Sequence, residues 1–262
     1  MQRMVETIKK ALFKNEVKSV ISVFQRQFFS YIFPIKYSRL LLASLFVATW
    51  VYLNTNVPWT SEHIYRFLFE VTKDRLLYDL IKSLFFAIPI IISFFLIFKN
   101  SVGFLFSKME KGYLIRFVAF FVYLEFVLSF GIAFICRAMG IEFNAHVGIR
   151  NVELSTYFEL VVGLIAEQLF FFLILFFALA TLYKMNKKIS TLNLLLSMAF
   201  AALVFGLAHL SAYDNNVLQC LLIIGIPFTV IQTTIFLLTK NMLAGYLVHL
   251  LFDLMIFSIV NF

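Results

Sequence analysis

The sequence predicts an all-α fold, a polytopic transmembrane helix bundle of about seven spans. Three observations predict it. The 262 residues are 62% hydrophobic and only 14% charged, with a mean hydropathy of +0.94. The apolar residues lie in long continuous runs, not in the alternation of half-buried strands. Basic residues collect in every second connection between those runs. A soluble domain carries about 25% charged residues because its exterior must be polar. Lipid must therefore solvate much of this surface, and backbone groups in lipid have to pair within the fold, which continuous runs do as helices.

The runs are Leu40–Leu53, Leu80–Phe98, Leu114–Cys136, Tyr157–Tyr183, Leu192–Ala212, Val217–Thr239 and Met242–Val260. Residues 1–39 form a basic leader and 40–262 one membrane domain, with a motif-bearing core over about 157–262. The leader holds Arg3, Lys9, Lys10, Lys14, Lys18, Arg26 and Lys36 against Glu6 and Glu16. Lys99, Lys108, Lys111 and Arg116 follow the second run, Lys184, Lys187 and Lys188 the fourth, and Lys240 the sixth. The other connections are neutral or acidic. By the positive-inside rule the N-terminus is cytoplasmic and the C-terminus outside. Within the leader, Met4, Val5, Ile8, Leu12 and Val17 recur near helical spacing. That spacing suits an amphipathic helix on the membrane face, and a solvated tail fits equally. No cleavage site for a signal peptide follows.

Composition also excludes some functions. The net charge of +8 sits at the ends of apolar runs, so it sets topology and forms no nucleic-acid surface. The two cysteines, Cys136 and Cys220, make no disulfide framework. The expected surroundings are the lipid bilayer, with no nucleic-acid partner.

Ionisable residues inside the runs are costly, on the order of 3 kcal/mol at mid-bilayer, and so need a role. They are Glu125, Glu159, Glu167, His209, His249 and Asp253. Asn241, Gly245, His249 and Asp253 recur every four residues and so share one helix face. A glycine there lets a neighbouring helix approach closely. His249 and Asp253 suit one substrate atom or one metal ion, or simply a bond that glues helices. Taken alone, His209 at the end of Phe205-Gly206-Leu207-Ala208-His209 is a common packing residue. Glu167, mid-run and without a basic neighbour, fits a general base better than a packing role. One carboxyl, two imidazoles and a second carboxylate together match a base-activated or metal-activated water.

The order Glu167-Gln168, then Phe205 to His209, then His249 to Asp253, on three separate runs, resembles the CAAX protease and bacteriocin-processing family, also called CPBP or Abi. The likeness covers Tyr157 to Asp253. It implies an intramembrane endopeptidase in which Glu167 activates a water, His209 helps to hold it, and His249 and Asp253 stabilise the oxyanion or orient the water. Gln168, Phe205 and Gly245 support the site. The family usually has a second glutamate at the position of Gln168 and an arginine at that of Phe172. Those two departures put activity in question and leave a degenerate scaffold or regulator of a partner protein as the alternative. The resemblance also admits one divalent metal, zinc as the candidate, on His209, His249 and Asp253, or no cofactor.

The expected partner is a peptide or membrane-protein substrate, in bacteriocin maturation, self-immunity or other peptide processing. The expected location is a bacterial plasma membrane. An ion-coupled transporter, prompted by Glu125 and Glu167, ranks lower because no inverted repeat is visible. Counting residues raises one difficulty: His209 and His249 come out at depths that differ by about 10–15 Å.

Overall fold

A computed structural model of the chain describes residues 35–144, 154–187 and 190–260. The amphipathic pattern from Met4 to Val17 lies outside the described residues. Helices run over Tyr37–Asn56 (α1), Pro58–Thr72 (α2), Arg75–Phe98 (α3), Lys111–Ala138 (α4), Leu154–Asn186 (α5), Thr191–Leu207 (α6), Val217–Thr239 (α7) and Met242–Val260 (α8). Each expected run coincides with a helix. By length and composition, Arg75–Leu105, α4, Thr156–Asn186 and α7 are able to cross a membrane, and α6 and α8 are apolar but shorter.

Local chemistry sets the helix starts. The side chains of Asp74, Ser190, Asn216 and Asn241 accept from the N–H groups of Leu77, Asn193, Gln219 and Ala244, at 2.8–3.2 Å. Each satisfies one of the donors that a first helical turn leaves open. Lys73 and Lys240 close α2 and α7 in the left-handed conformation.

Side-chain contacts give the helix directions. Lys82 meets Glu159 and Phe98 meets Phe176, so α3 and α5 run parallel. Gln168 meets Gln232 and Phe172 meets Phe236, which sets α7 parallel to them. Tyr37 of α1 reaches Thr181 near the end of α5, and Asn56 reaches the Leu207 and Ala208 carbonyls past the end of α6. The seven run-derived helices thus alternate in direction, as the alternating basic connections require. Helix α2 was expected as a loop. It starts where α1 ends and finishes where α3 begins, so it stays at one end of the bundle, with Phe67, Phe69 and Val71 exposed.

Helix α5 is the axis. Leu169 to Phe176 are all buried, packed by α1, α3, α6 and α7. A second core joins α4 to α7 and α8 through Phe117, Phe121, Ile231, Ile235 and Val248. Outward-facing Leu42, Phe46, Leu96, Ile115 and Phe134 are exposed, which suits a lipid-facing exterior. Helix α6 ends at Leu207, five residues before the expected Ala212, and a 3-10 turn over Leu210–Tyr213 follows. Asn56 holds that turn, its Oδ1 accepting from the Ser211 N–H. The start of α7 widens into a π segment, Cys220–Gly225. Here α6 and α7 touch backbone to backbone: a Cβ on Gly206 would lie 2.6 Å from the Cys220 carbonyl oxygen, and one on Gly225 would lie 2.4 Å from that of Ala202.

Candidate active site

A cavity of about 410 Å³ opens between α4, α5, α6, α7 and α8, and its walls carry Glu125, Glu159, Glu167, His209, His249 and Asp253. Every intramembrane ionisable residue singled out by sequence lines this one space. The polar groups fall into two pairs. His209 Nε2 lies 3.5 Å from a Glu167 carboxyl oxygen. His249 Nε2 lies 3.5 Å from an Asp253 carboxyl oxygen, one helical turn away.

The His209 ring is fixed from behind. Its Nδ1 donates to the Phe205 carbonyl at 2.8 Å, and since a carbonyl only accepts, Nδ1 carries a proton. In the neutral ring, Nε2 then turns its lone pair toward Glu167. Aromatic rings hold both imidazoles. Phe205 packs against His209 at 4.7 Å between centroids and stacks on Phe228 at 4.0 Å, and Phe228 meets the His249 ring at 4.6 Å. Phe228 was not foreseen, because nothing marks one phenylalanine among thirty-five.

The depth difficulty disappears, for a reason invisible to counting. Gln168 Nε2 donates to Gln232 Oε1 at 2.8 Å, which places these residues of α5 and α7 at one level. From that level α5 continues for about 18 residues and α7 for about 7, so the α7–α8 turn stops about 16 Å short of the end of α5. Helix α8 therefore begins deep in the bundle. The turn is tied there by Asn241, which donates to the Ser107 carbonyl at 2.6 Å. His249 consequently arrives within about one turn of the level of Glu167.

The four-residue stripe on α8 divides by role. Asn241 caps the helix. Gly245 leaves room for two glutamine side chains, since a Cβ there would lie 2.3 Å from Gln232 Oε1 and 2.7 Å from Gln168 Nε2. Gln232 also donates to the Gly245 carbonyl at 3.2 Å. Only His249 and Asp253 reach the cavity. Gln168 therefore binds α5 to α7 and α8, and Phe172 sits fully buried against Phe176 and Phe236. Gln232 carries no charge, so the cost of charge in lipid does not single it out; a glutamine in the middle of an apolar run is the available signal.

Glu159 is neutralised by Lys82 at 3.1 Å, a pair that the sequence search did not connect. Among the described residues, no group of three or more histidine, cysteine or acidic side chains is arranged to hold a metal ion. His209 is turned to Glu167 and His249 to Asp253.

The Rce1-like family, described as type II CAAX prenyl endopeptidase, matches residues 151–255. The motif-bearing region is similar to that family. This bears out the resemblance read from the three motifs, and the matched segment contains Glu167, His209, His249 and Asp253. Glu125 lies outside it. No curated protein and no solved structure matches the chain.

Proposed function

We propose that this protein is an intramembrane endopeptidase that hydrolyses a peptide or membrane-protein substrate with a water held by Glu167 and His209. The observation that carries this reading is the placement of the Glu167–His209 pair in the wall of the cavity that also holds His249 and Asp253. The Glu167 carboxylate and the His209 lone pair are both acceptors. A water seated beside the pair, on its cavity side, donates a proton to each and presents its oxygen lone pair to a scissile carbonyl. The water oxygen bonds to the carbonyl carbon while Glu167 takes a proton. The resulting tetrahedral centre collapses with cleavage of the C–N bond, and the proton on Glu167 passes to the leaving amine.

His249 serves the oxyanion. One proton shared between its Nε2 and the Asp253 carboxyl leaves the other ring proton on Nδ1. Nδ1 is itself buried, so the donor that meets developing negative charge on the cavity wall is the proton shared with Asp253. No step in this scheme runs through a metal ion. Gln168 takes no part in it, because its Nε2 is engaged with Gln232 and its side chain is not among those that line the cavity. The missing second glutamate therefore costs the water-activating pair nothing directly, which favours a working enzyme over a degenerate scaffold.

With the basic connections on the cytoplasmic side of a bacterial plasma membrane, the cavity lies in the outer half of the bilayer. Substrates there are peptides or membrane proteins processed near the outer lipid boundary, a role that includes bacteriocin maturation and self-immunity. Release of peptide fragments by the purified full-length chain tests the reading, with Glu167→Ala and His249→Ala as controls. Cleavage by the unaltered chain alone supports it, whereas equal turnover by all three refutes it. A cellular phenotype that survives Glu167→Ala at normal expression supports the scaffold reading instead.

A further inference from the structure

One group in the cavity has no place in this chemistry. Glu125, in the middle of α4, is 2% exposed, and its Oε2 has no hydrogen-bond partner. A buried carboxylate without a counter-charge is among the costlier features a fold can carry. In a helix solvated by lipid, leucine at this position would pack at no such cost. The residue also lies outside the Rce1-like segment.

Its surroundings define what would satisfy it. Ser129 and Ala133 follow at successive turns of α4 and line the same cavity, so one face of α4 forms the wall. No lysine or arginine is among the described residues of that lining. The charged neighbour that acts on Glu125 is a second acid, Asp253, and the same cavity is lined by apolar and aromatic Phe130, Phe252 and Ile256. An acid in the wall of a largely apolar cavity is complementary to an alkyl chain that ends in a positive charge, the form of a lysine or arginine side chain.

We propose that Glu125 is a substrate-binding carboxylate that receives a basic side chain of the peptide and so sets which bond lies over Glu167 and His209. Glu125 is a specificity residue, with no part in proton transfer. The proposal rests on the endopeptidase reading. It adds a charge preference to it: the chain selects lysine or arginine at one substrate position and disfavours glutamate there.

Direct binding tests it without depending on turnover. Fluorescein-labelled, leucine- and alanine-rich nonapeptides carry lysine, norleucine or glutamate at the central position. Their binding is measured by anisotropy to the full-length chain in detergent, in a Glu167→Gln background that leaves them uncleaved. The lysine peptide should bind about tenfold tighter than the norleucine peptide, the ratio that one charge-assisted hydrogen bond supplies. With Glu125→Gln added, that ratio should fall to near one, and with Glu125→Lys the glutamate peptide should bind best. Thermal unfolding should show Glu125→Gln to be no less stable than its parent. A lysine-to-norleucine ratio unchanged by Glu125→Gln overturns the proposal, and so does a ratio near one before the substitution; in both cases the endopeptidase reading stands. Binding of no peptide by any variant overturns that reading and the proposal together.

Discussion

Gln168 donates from its amide to Gln232 across 2.8 Å, and Gln232 donates in turn to the Gly245 carbonyl. This chain of two side chains locks α5, α7 and α8 at the level where Glu167 and His249 must meet. It converts the position of an absent second glutamate into a structural tie. A buried amide pair of this kind holds its helices only while both partners keep their bonds.

Gly245→Ala therefore should displace both glutamine side chains and loosen this tie. The new methyl would overlap Gln232 Oε1 and Gln168 Nε2, and overpacking of this kind costs about 1–3 kcal/mol. A lowered midpoint in thermal unfolding of the purified variant checks this, together with reduced turnover from displacement of α8. An unchanged midpoint would show that the glutamines have room to move.

Phe172→Arg restores the residue that the family carries at this place. It should not restore or raise activity. Phe172 is fully buried between Phe176 and Phe236, and an unpaired guanidinium there costs several kcal/mol. Poor yield or a much lower unfolding midpoint is the expected outcome. A stable, more active Phe172→Arg protein would contradict the placement.

The helices were legible because continuous apolar length folds as helix in lipid, and each run does so, although four of the helices among the described residues are long and apolar enough to span. That these residues would meet was suggested by their charge, which stands out in such a run, as in Glu167 and Asp253, and they do line one cavity. Depth was not legible. It depended on where the α7–α8 turn sits, which Asn241 and Ser107 fix by a contact between distant segments. Helix α2 was missed because its moderate apolar content reads as a connection, and Phe228 because its meaning comes only from the rings stacked on it.

His249 and Asp253 should affect the chemical step more than binding. His249→Ala removes the donor to the oxyanion and should lower kcat by about 10²–10³. Asp253→Asn leaves a hydrogen-bonding group in place and should cost less. Steady-state kinetics on one peptide separate kcat from KM; a pure KM effect for His249→Ala would reassign it to substrate binding.

The two-pair arrangement of the histidines bears on metal dependence. Turnover by protein dialysed against a strong chelator should equal that of untreated protein, and added zinc should not raise it. Loss of activity on chelation with recovery on zinc addition would place His209, His249 and Asp253 as ligands.

The central claim is that Glu167 and His209 together activate one water. The most direct measurement is hydrolysis of a peptide substrate by the purified chain, by Glu167→Gln, by His209→Ala and by the double variant. Each single change should reduce kcat by about 10²–10⁴, and the double variant should be little worse than the poorer single one, because the two residues serve one water. Full activity in Glu167→Gln, or losses that multiply in the double variant, would contradict the account.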